Sequence, residues 1–324
     1  MPTENLWIIS HLLIACIGIL LLQTFPKVKL SEVYRSAYYY WLAIAVQFAF
    51  GGLLSTFLVF YFRSATLSAS WPFLLILFIA FVFNEVFKQH YARLTFQVSY
   101  LFLSTFSFAI YYVPILFSKL GSDVFIISGL VSLLAVFIFL LILTYFNNEE
   151  FVKSRKSLRY SIFGIYIIFN FLYFTNVIPP IPLSLKDAGV FHSVKRNSDG
   201  NYNVQYEDNG WTGFFRNEIF HAKIGDPVYV YTAVFSPTNL NTKIVHIWQY
   251  YDEVMRAWIV KDKVELAVNG GREGGFRTYS IRSFSLAGKW QVDVETLTGQ
   301  VIGKVKFTAE RVEKEPVLIK DVKL

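Results

Sequence analysis

The sequence predicts a membrane all-α bundle of about six transmembrane helices, followed by a soluble all-β antiparallel sandwich of immunoglobulin-like size. Three observations carry that prediction. The chain of 324 residues is 54% apolar and 19% aromatic, too apolar for one soluble domain of this length. The bias is uneven: residues 1–185 hold 11 Lys+Arg and 6 Asp+Glu, against 19 and 17 in residues 186–324. Near Lys186 the texture also changes, from long apolar runs to short alternating ones.

Six apolar runs have spanning length: about Leu6 to Phe25, Ala37 to Phe62, Pro72 to Phe87, Leu94 to Ser118, Val124 to Tyr145 and Tyr160 to Val177. A helix needs about 20 residues to cross the hydrocarbon layer. The third run is short and is expected to continue through Lys88 towards Tyr91. The sixth ends at Pro179-Pro180-Ile181-Pro182, which cannot extend a helix. Cys16, the one cysteine, excludes an intramolecular disulfide and reads as a membrane-helix residue.

The loops set an expected orientation. Lys27, Lys29 and Arg35 fall in the first loop, Lys88 and Arg93 in the third, and Lys153, Arg155, Lys156 and Arg159 in the fifth. The second and fourth loops hold only Arg63 and Lys119. The basic side of a membrane protein is the cytoplasmic one, so the N-terminus and the β domain are expected outside it. The net charge of +7 is thus a topology signal, and nucleic-acid binding is not expected.

In the second half, strands are expected at Tyr202 to Tyr206, Pro227 to Phe235, Lys243 to Tyr250, Ala257 to Val260, Val264 to Val268, Phe276 to Phe284, Trp290 to Glu295 and Val301 to Ala309. The hairpin from Gly288 to Phe307 is the clearest: Trp290, Val292 and Val294 alternate with Gln291, Asp293 and Glu295 up to a turn at Thr298-Gly299. Period-two alternation marks a half-buried antiparallel pair. Lys261-Asp262 reads as a turn between two strands. The implied division is a bundle over 1–178, a Pro-rich linker over 179–188, a β domain over 189–311 and a charged tail over 312–324.

The ordered run Ile244-Val-His-Ile-Trp248, Asn269-Gly-Gly-Arg-Glu-Gly-Gly-Phe-Arg-Thr-Tyr-Ser280 and Gly288 to Phe307 resembles a bacterial C-terminal family, domain of unknown function 2914. The resemblance covers roughly residues 225–310. It implies a small β domain carried behind several membrane spans, and it implies no activity and no catalytic residue.

Candidate binding residues come from three places. On the strand Lys243 to Tyr250, Val245 and Ile247 share one face, and Ile244, His246, Trp248 and Tyr250 the other. If the first face is core, His246, Trp248 and Tyr250 form an exposed aromatic ribbon suited to sugar rings or a protein; otherwise Trp248 is itself core. The loop Gly270 to Arg277 carries Arg272 and Arg277 among glycines. It reads either as an anion cradle or as a bulged loop that needs positive φ, its arginines paired or solvated. Among the apolar helices, Asn84, Glu85 and Lys88 stand out. Ionisable groups in hydrocarbon are functional candidates, while Glu85 and Lys88 at i,i+3 also read as an interfacial salt bridge.

No catalytic constellation, metal-ligand spacing or cofactor motif is recognised. The expected function is therefore a membrane-anchored, extracytoplasmic interaction module of the cell envelope, in the inner (cytoplasmic) membrane of a bacterium. Its partners are expected to be the lipid bilayer and an envelope glycan or protein. Two alternatives stay open: a transporter or membrane enzyme with its site near Glu85, and a structural subunit of an envelope complex.

Overall fold

A computed structural model describes residues 2–24, 32–64, 66–86, 93–198, 200–207, 218–237, 242–269, 274–314 and 316–323. They form six helices and eleven strands. The chain divides into two compact units: Met1–Arg63 with Leu67–Ile178, and Pro179–Leu324 with Ser64–Thr66.

The first unit contains α1 (Pro2–Thr24), α2 (Glu32–Ser64), α3 (Leu67–Val86), α4 (Leu94–Phe117), α5 (Ser122–Phe146) and α6 (Asn148–Phe174). All six are long and apolar enough to cross a membrane. The most apolar stretch of α4 is 67% buried, against 22% for that of α6, so α4 forms the core of the bundle. Aromatic rings fill its contacts: Phe106 stacks on Phe169 of α6 at 4.9 Å, and Phe125 of α5 stacks on Tyr173 of α6 at 3.7 Å. Serines serve where helices approach closely. Ser128 and Ser132 of α5 are fully buried and return their hydroxyls to Val124 O and Gly129 O of their own helix.

Two helices reach into expected loops. Helix α2 spans Glu32–Ser64 and α6 starts at Asn148, so Arg35, Arg63, Lys153, Arg155, Lys156 and Arg159 lie on helices and not in loops. A single residue, Asn147, separates α5 from α6; its φ of −146° and ψ of 73° break the helix. Its Nδ2 donates to Gln23 O of α1 at 2.6 Å, and Gln23 Nε2 donates to Gln97 Oε1 of α4 at 2.8 Å. All three side chains are buried. They tie α1, α4 and the α5–α6 joint together where unpaired amides would be costly.

The second unit contains β1 (Ser184–Phe191), β2 (Ser193–Arg196), β3 (Tyr202–Glu207), β4 (Glu218–Ala222), β5 (Pro227–Phe235), β6 (Thr242–Asp252), β7 (Ala257–Val268), β8 (Phe276–Ser283), β9 (Gly288–Thr296), β10 (Val301–Arg311) and β11 (Leu318–Lys323). They make three sheets, ordered β1-β5-β8, β4-β10-β9-β6-β7 and β11-β3-β2. The sheet β1-β5-β8 is the middle layer. Along β5, Val228 and Val230 join Trp248, Trp290, Val292 and Phe307 in one core. Tyr231 and Ala233 alternate with them and join Phe191, Val194, Tyr202 and Val204 in a second. A strand buried on both faces lies between two layers.

The expected two-layer antiparallel sandwich is thus corrected in two respects. A third sheet covers it, and β4 pairs with β10 in parallel, from Glu218↔Phe307 to Ala222↔Arg311. The segment read as linker contains the start of β1, and the segment read as tail contains β11, paired with β3. Lys261-Asp262 is a bulge inside one continuous strand, β7. That strand is an edge, and its Lys261, Asp262, Lys263 and Glu265 are exposed, a charge pattern that discourages edge-to-edge pairing.

Candidate functional site

The aromatic face of β6 points inward. His246 is 0% and Trp248 1% exposed, so neither belongs to a surface ribbon. The reason is a set of matching hydroxyls on the middle sheet. Trp248 Nε1 donates to Ser280 Oγ of β8 at 3.0 Å, His246 Nδ1 lies 2.9 Å from that same oxygen, and His246 Nε2 lies 3.0 Å from Thr232 Oγ1 of β5. An indole N–H can only donate. Ser280 then accepts from Trp248 and can give its own proton to Nδ1, while Nε2–H donates to Thr232. Burial pushes the His246 imidazole down to about 4, so it is neutral at pH 7. Serine and histidine side by side could suggest a nucleophile, but Ser280 is 2% exposed and offers a substrate no access. The cluster is a polar rivet between two sheets.

Tyr250 is half-buried; its hydroxyl donates to Ala287 O at 3.1 Å and its ring meets Trp290 at 5.2 Å. Arg277 is committed to structure: Nη1 donates to Asn201 Oδ1 at 3.2 Å and Gly200 O at 3.5 Å, holding the β2–β3 turn. The reading of this segment as a loop that needs positive φ holds at Gly275, with φ of 88°. Arg272 lies outside the described residues, as does Lys88.

In the bundle, Asn84 is fully buried at a crossing of α2 and α3. Asn84 Nδ2 donates to Gln47 O at 3.2 Å, and Gln47 Nε2 donates to Asn84 O at 3.2 Å and to Glu85 Oε2 at 3.3 Å. The Glu85 side chain is exposed at the surface of its unit. Asn170 bonds within its own helix, to Tyr166 O.

Two arrangements escaped the sequence. The first is a carboxylate between two imidazoles. Glu207, at the end of β3, places Oε1 2.8 Å from His192 Nε2 and Oε2 2.5 Å from His221 Nδ1 of β4; His221 N–H also donates to Oε1 at 2.7 Å. Burial alone would raise this carboxyl, but the hydrogen bonds from His192 and His221 outweigh it and hold it below the ordinary carboxylate range. Glu310 of β10 lies 3.6 Å from His221 Nε2. The group joins all three sheets, because His192 links β1 to β2. No three His, Cys, Asp or Glu among the described residues are placed to hold a metal ion.

The second is the β6–β7 hairpin tip. Asp252 Oδ1 accepts from Val254 N–H and Met255 N–H, each at 2.9 Å, and Arg256 takes a φ of 51°. This Asx-type turn holds Val254 95% and Met255 70% exposed. Behind them Tyr251 packs edge-on against Trp258 at 5.2 Å. Lys289 Nζ sits over the Tyr251 ring and pairs with Glu253 at 2.9 Å.

Three solved structures are distantly similar. An immunoglobulin-like protein from Pseudomonas aeruginosa is 14% identical, with 40% of this chain covering 92% of that one, at a TM-score of 0.22. A β-glucosidase from Listeria innocua in complex with glucose is 11% identical at a TM-score of 0.21; 29% of this chain spans 15% of the enzyme's length. An alkylpurine DNA glycosylase from Pseudomonas fluorescens is 10% identical, over 95% of this chain and 98% of that one, at a TM-score of 0.25. At these scores none bears on activity. No curated protein matches. Residues 241–309, running from the start of β6 into β10, match the family described as protein of unknown function (DUF2914), so the C-terminal domain carries the segment that defines that family.

Proposed function

We propose that the protein is a membrane-anchored interaction module of the cell envelope, with the β6–β7 hairpin tip as its contact element. Six helices of spanning length support the anchoring. The excess of Lys and Arg in the first, third and fifth inter-run segments over the second and fourth supports an extracytoplasmic β domain in the cytoplasmic membrane of a bacterium. The observation that carries the reading is the near-complete exposure of Val254 and Met255 on a turn braced by Asp252. Apolar side chains held outward on a stiff backbone lose little entropy on binding, and aromatic neighbours of the kind found at hot spots flank them. With His246 and Trp248 inside the core, the aromatic ribbon considered on β6 is not open to sugar rings. An envelope protein is therefore favoured over a glycan.

The full chain, carrying a photocrosslinking residue at Met255, tests this in cells. A discrete protein adduct is expected at Met255, and none with the same probe at Leu297, which is 59% exposed on the β9–β10 turn. Loss of the adduct in a folded Val254→Asp variant would support the tip. Equal labelling at both positions would refute it, and adducts of fixed stoichiometry through the helices alone would favour a structural subunit. In the competing reading, a transport or enzymatic site lies near Glu85. That carboxylate is exposed and shared with Gln47, a position better suited to the headgroup region than to an internal path.

A further inference from the structure

The α5–α6 hairpin carries a groove that the interaction reading does not use. It measures about 550 Å³, within the ~300–1,000 Å³ typical of small-molecule sites. Leu133, Val136 and Leu140 of α5 line one wall, at i, i+3 and i+7; Ile162 and Tyr166 of α6 line the other. Two charged residues reach into this apolar trough, Arg155 and Arg159.

Their position is unusual. Asn147 folds α6 back after α5, and Arg155 and Arg159 come eight and twelve residues after it. At 1.5 Å per residue they sit roughly 12 and 18 Å along the hairpin. The α5 wall beside them is apolar, and no charged residue occurs in α5 after Asp123. Both arginines are exposed, and among the described residues neither makes a hydrogen bond or ion pair. Glu149 and Glu150, in the first turn of α6, are too far along the helix to meet them at i,i+4. A guanidinium against hydrocarbon is costly unless it finds an anion. Tyr160, next to Arg159 and 75% exposed, marks the level of the second arginine as interfacial, since tyrosine collects at the headgroup boundary.

We propose that this groove seats an anionic phospholipid, its phosphate held by Arg155 and Arg159 and its acyl chain laid along the α5–α6 trough. The two guanidiniums are one helical turn apart, ~6 Å, so they can take separate oxygens of one phosphate or two linked headgroups. The apolar lining excludes a free anion as the main ligand. A basic pocket between helices at the cytoplasmic boundary is where acidic lipids bind.

The test uses the full chain, delipidated in mild detergent and titrated with phosphatidylglycerol or with phosphatidylcholine of the same chains, with bound lipid counted by native mass spectrometry. Phosphatidylglycerol is expected to bind at least ~10-fold more tightly. Arg155→Gln with Arg159→Gln should abolish that preference; Lys119→Gln, which breaks only the exposed pair with Asp123, should leave it intact. If the double variant does not fold, Leu133→Trp serves instead, filling the trough while keeping both charges, and should lower phosphatidylglycerol occupancy. Equal binding of the two lipids would overturn the proposal. So would a preference unaffected by the arginine or tryptophan variants, or full displacement by millimolar inorganic phosphate.

Discussion

Ser280 Oγ stands 2.9 Å from His246 Nδ1 and 3.0 Å from Trp248 Nε1, and all three side chains are sealed between two sheets. One hydroxyl thus satisfies two residues of the facing strand. Ser280→Ala removes it without removing much volume. The Trp248 N–H then has no partner, and an unsatisfied buried donor costs about 1–3 kcal/mol. Thermal unfolding of the β domain in the solubilised chain, followed by near-ultraviolet circular dichroism, should show a loss of that size. An unchanged midpoint would mean that water replaces the hydroxyl.

His246 also makes the domain sensitive to acid. Its imidazole falls from the ordinary 6.5 to about 4 on burial. Between those values the unfolded chain binds a proton that the folded chain refuses, so stability rises with pH across that window. It is complete above about 6.5, falls as pH drops towards 4, and levels off below. At about 1.4 kcal/mol per pH unit, the loss is at most ~3.5 kcal/mol. Denaturant midpoints measured from pH 7.5 to 4.0 should trace this slope, and a flat profile would show that His246 is not held neutral.

Glu207 adds a second, lower step. Its carboxyl is held below the ordinary 4.5, so its contribution is present above that value and lost as pH falls through the folded one. Glu207→Gln puts an amide N–H₂ against a histidine N–H and removes the charge that both imidazoles share. About 2–3 kcal/mol should be lost. Hydrogen exchange should rise first in β2, β3 and β11, the layer that Glu207 clamps. A rise spread evenly over all three sheets would contradict that role.

Two glycines separate backbone strain from packing. Gly275 has a φ of 88°, and a Cβ there would stand 3.0 Å from backbone carbons of Ala233 and Val234. Gly225 has a φ of 96° with no atom within 4 Å of such a Cβ. Alanine at Gly225 should cost only the left-handed conformation, ~1–2 kcal/mol. Alanine at Gly275 should cost more, because main chain cannot move aside as a side chain can. Equal losses in the same unfolding assay would show that β5 gives way.

Where residue pattern alone determines structure, the sequence was readable. β5 and β9 span the residues where the pattern puts them, and the helices lie where apolar runs are long. But β9 is not half-buried as its alternation suggests: Gln291 and Asp293 are 4% and 5% exposed, and Asp293 accepts from Gln249, Gln291 and Lys304. The side of β6 was not readable, because Val245 and Ile247 are as apolar as Ile244 and Trp248. What decides it is Thr232 and Ser280, on strands distant in the chain. β1 escaped because Lys186, Asp187 and a bulge between Leu185 and Asp187 interrupt its period. β11 escaped because Lys320, Asp321 and Lys323 make an exposed strand read as a tail. The Glu207 cluster draws on positions 192, 207, 221 and 310, a spacing that no local motif encodes.

The middle layer has a consequence for how such a domain can be cut. The family-matched segment, residues 241–309, contains β6, β7, β8, β9 and almost all of β10. It includes β8 but neither β5, which β8 pairs with, nor β1, which lies beyond. A fragment trimmed to those limits would expose Trp248, Trp290 and Val292 to water and leave a lone strand to cover them. The matched stretch is therefore smaller than the stretch that folds, and an intact β domain must run from Ser184 to Lys323.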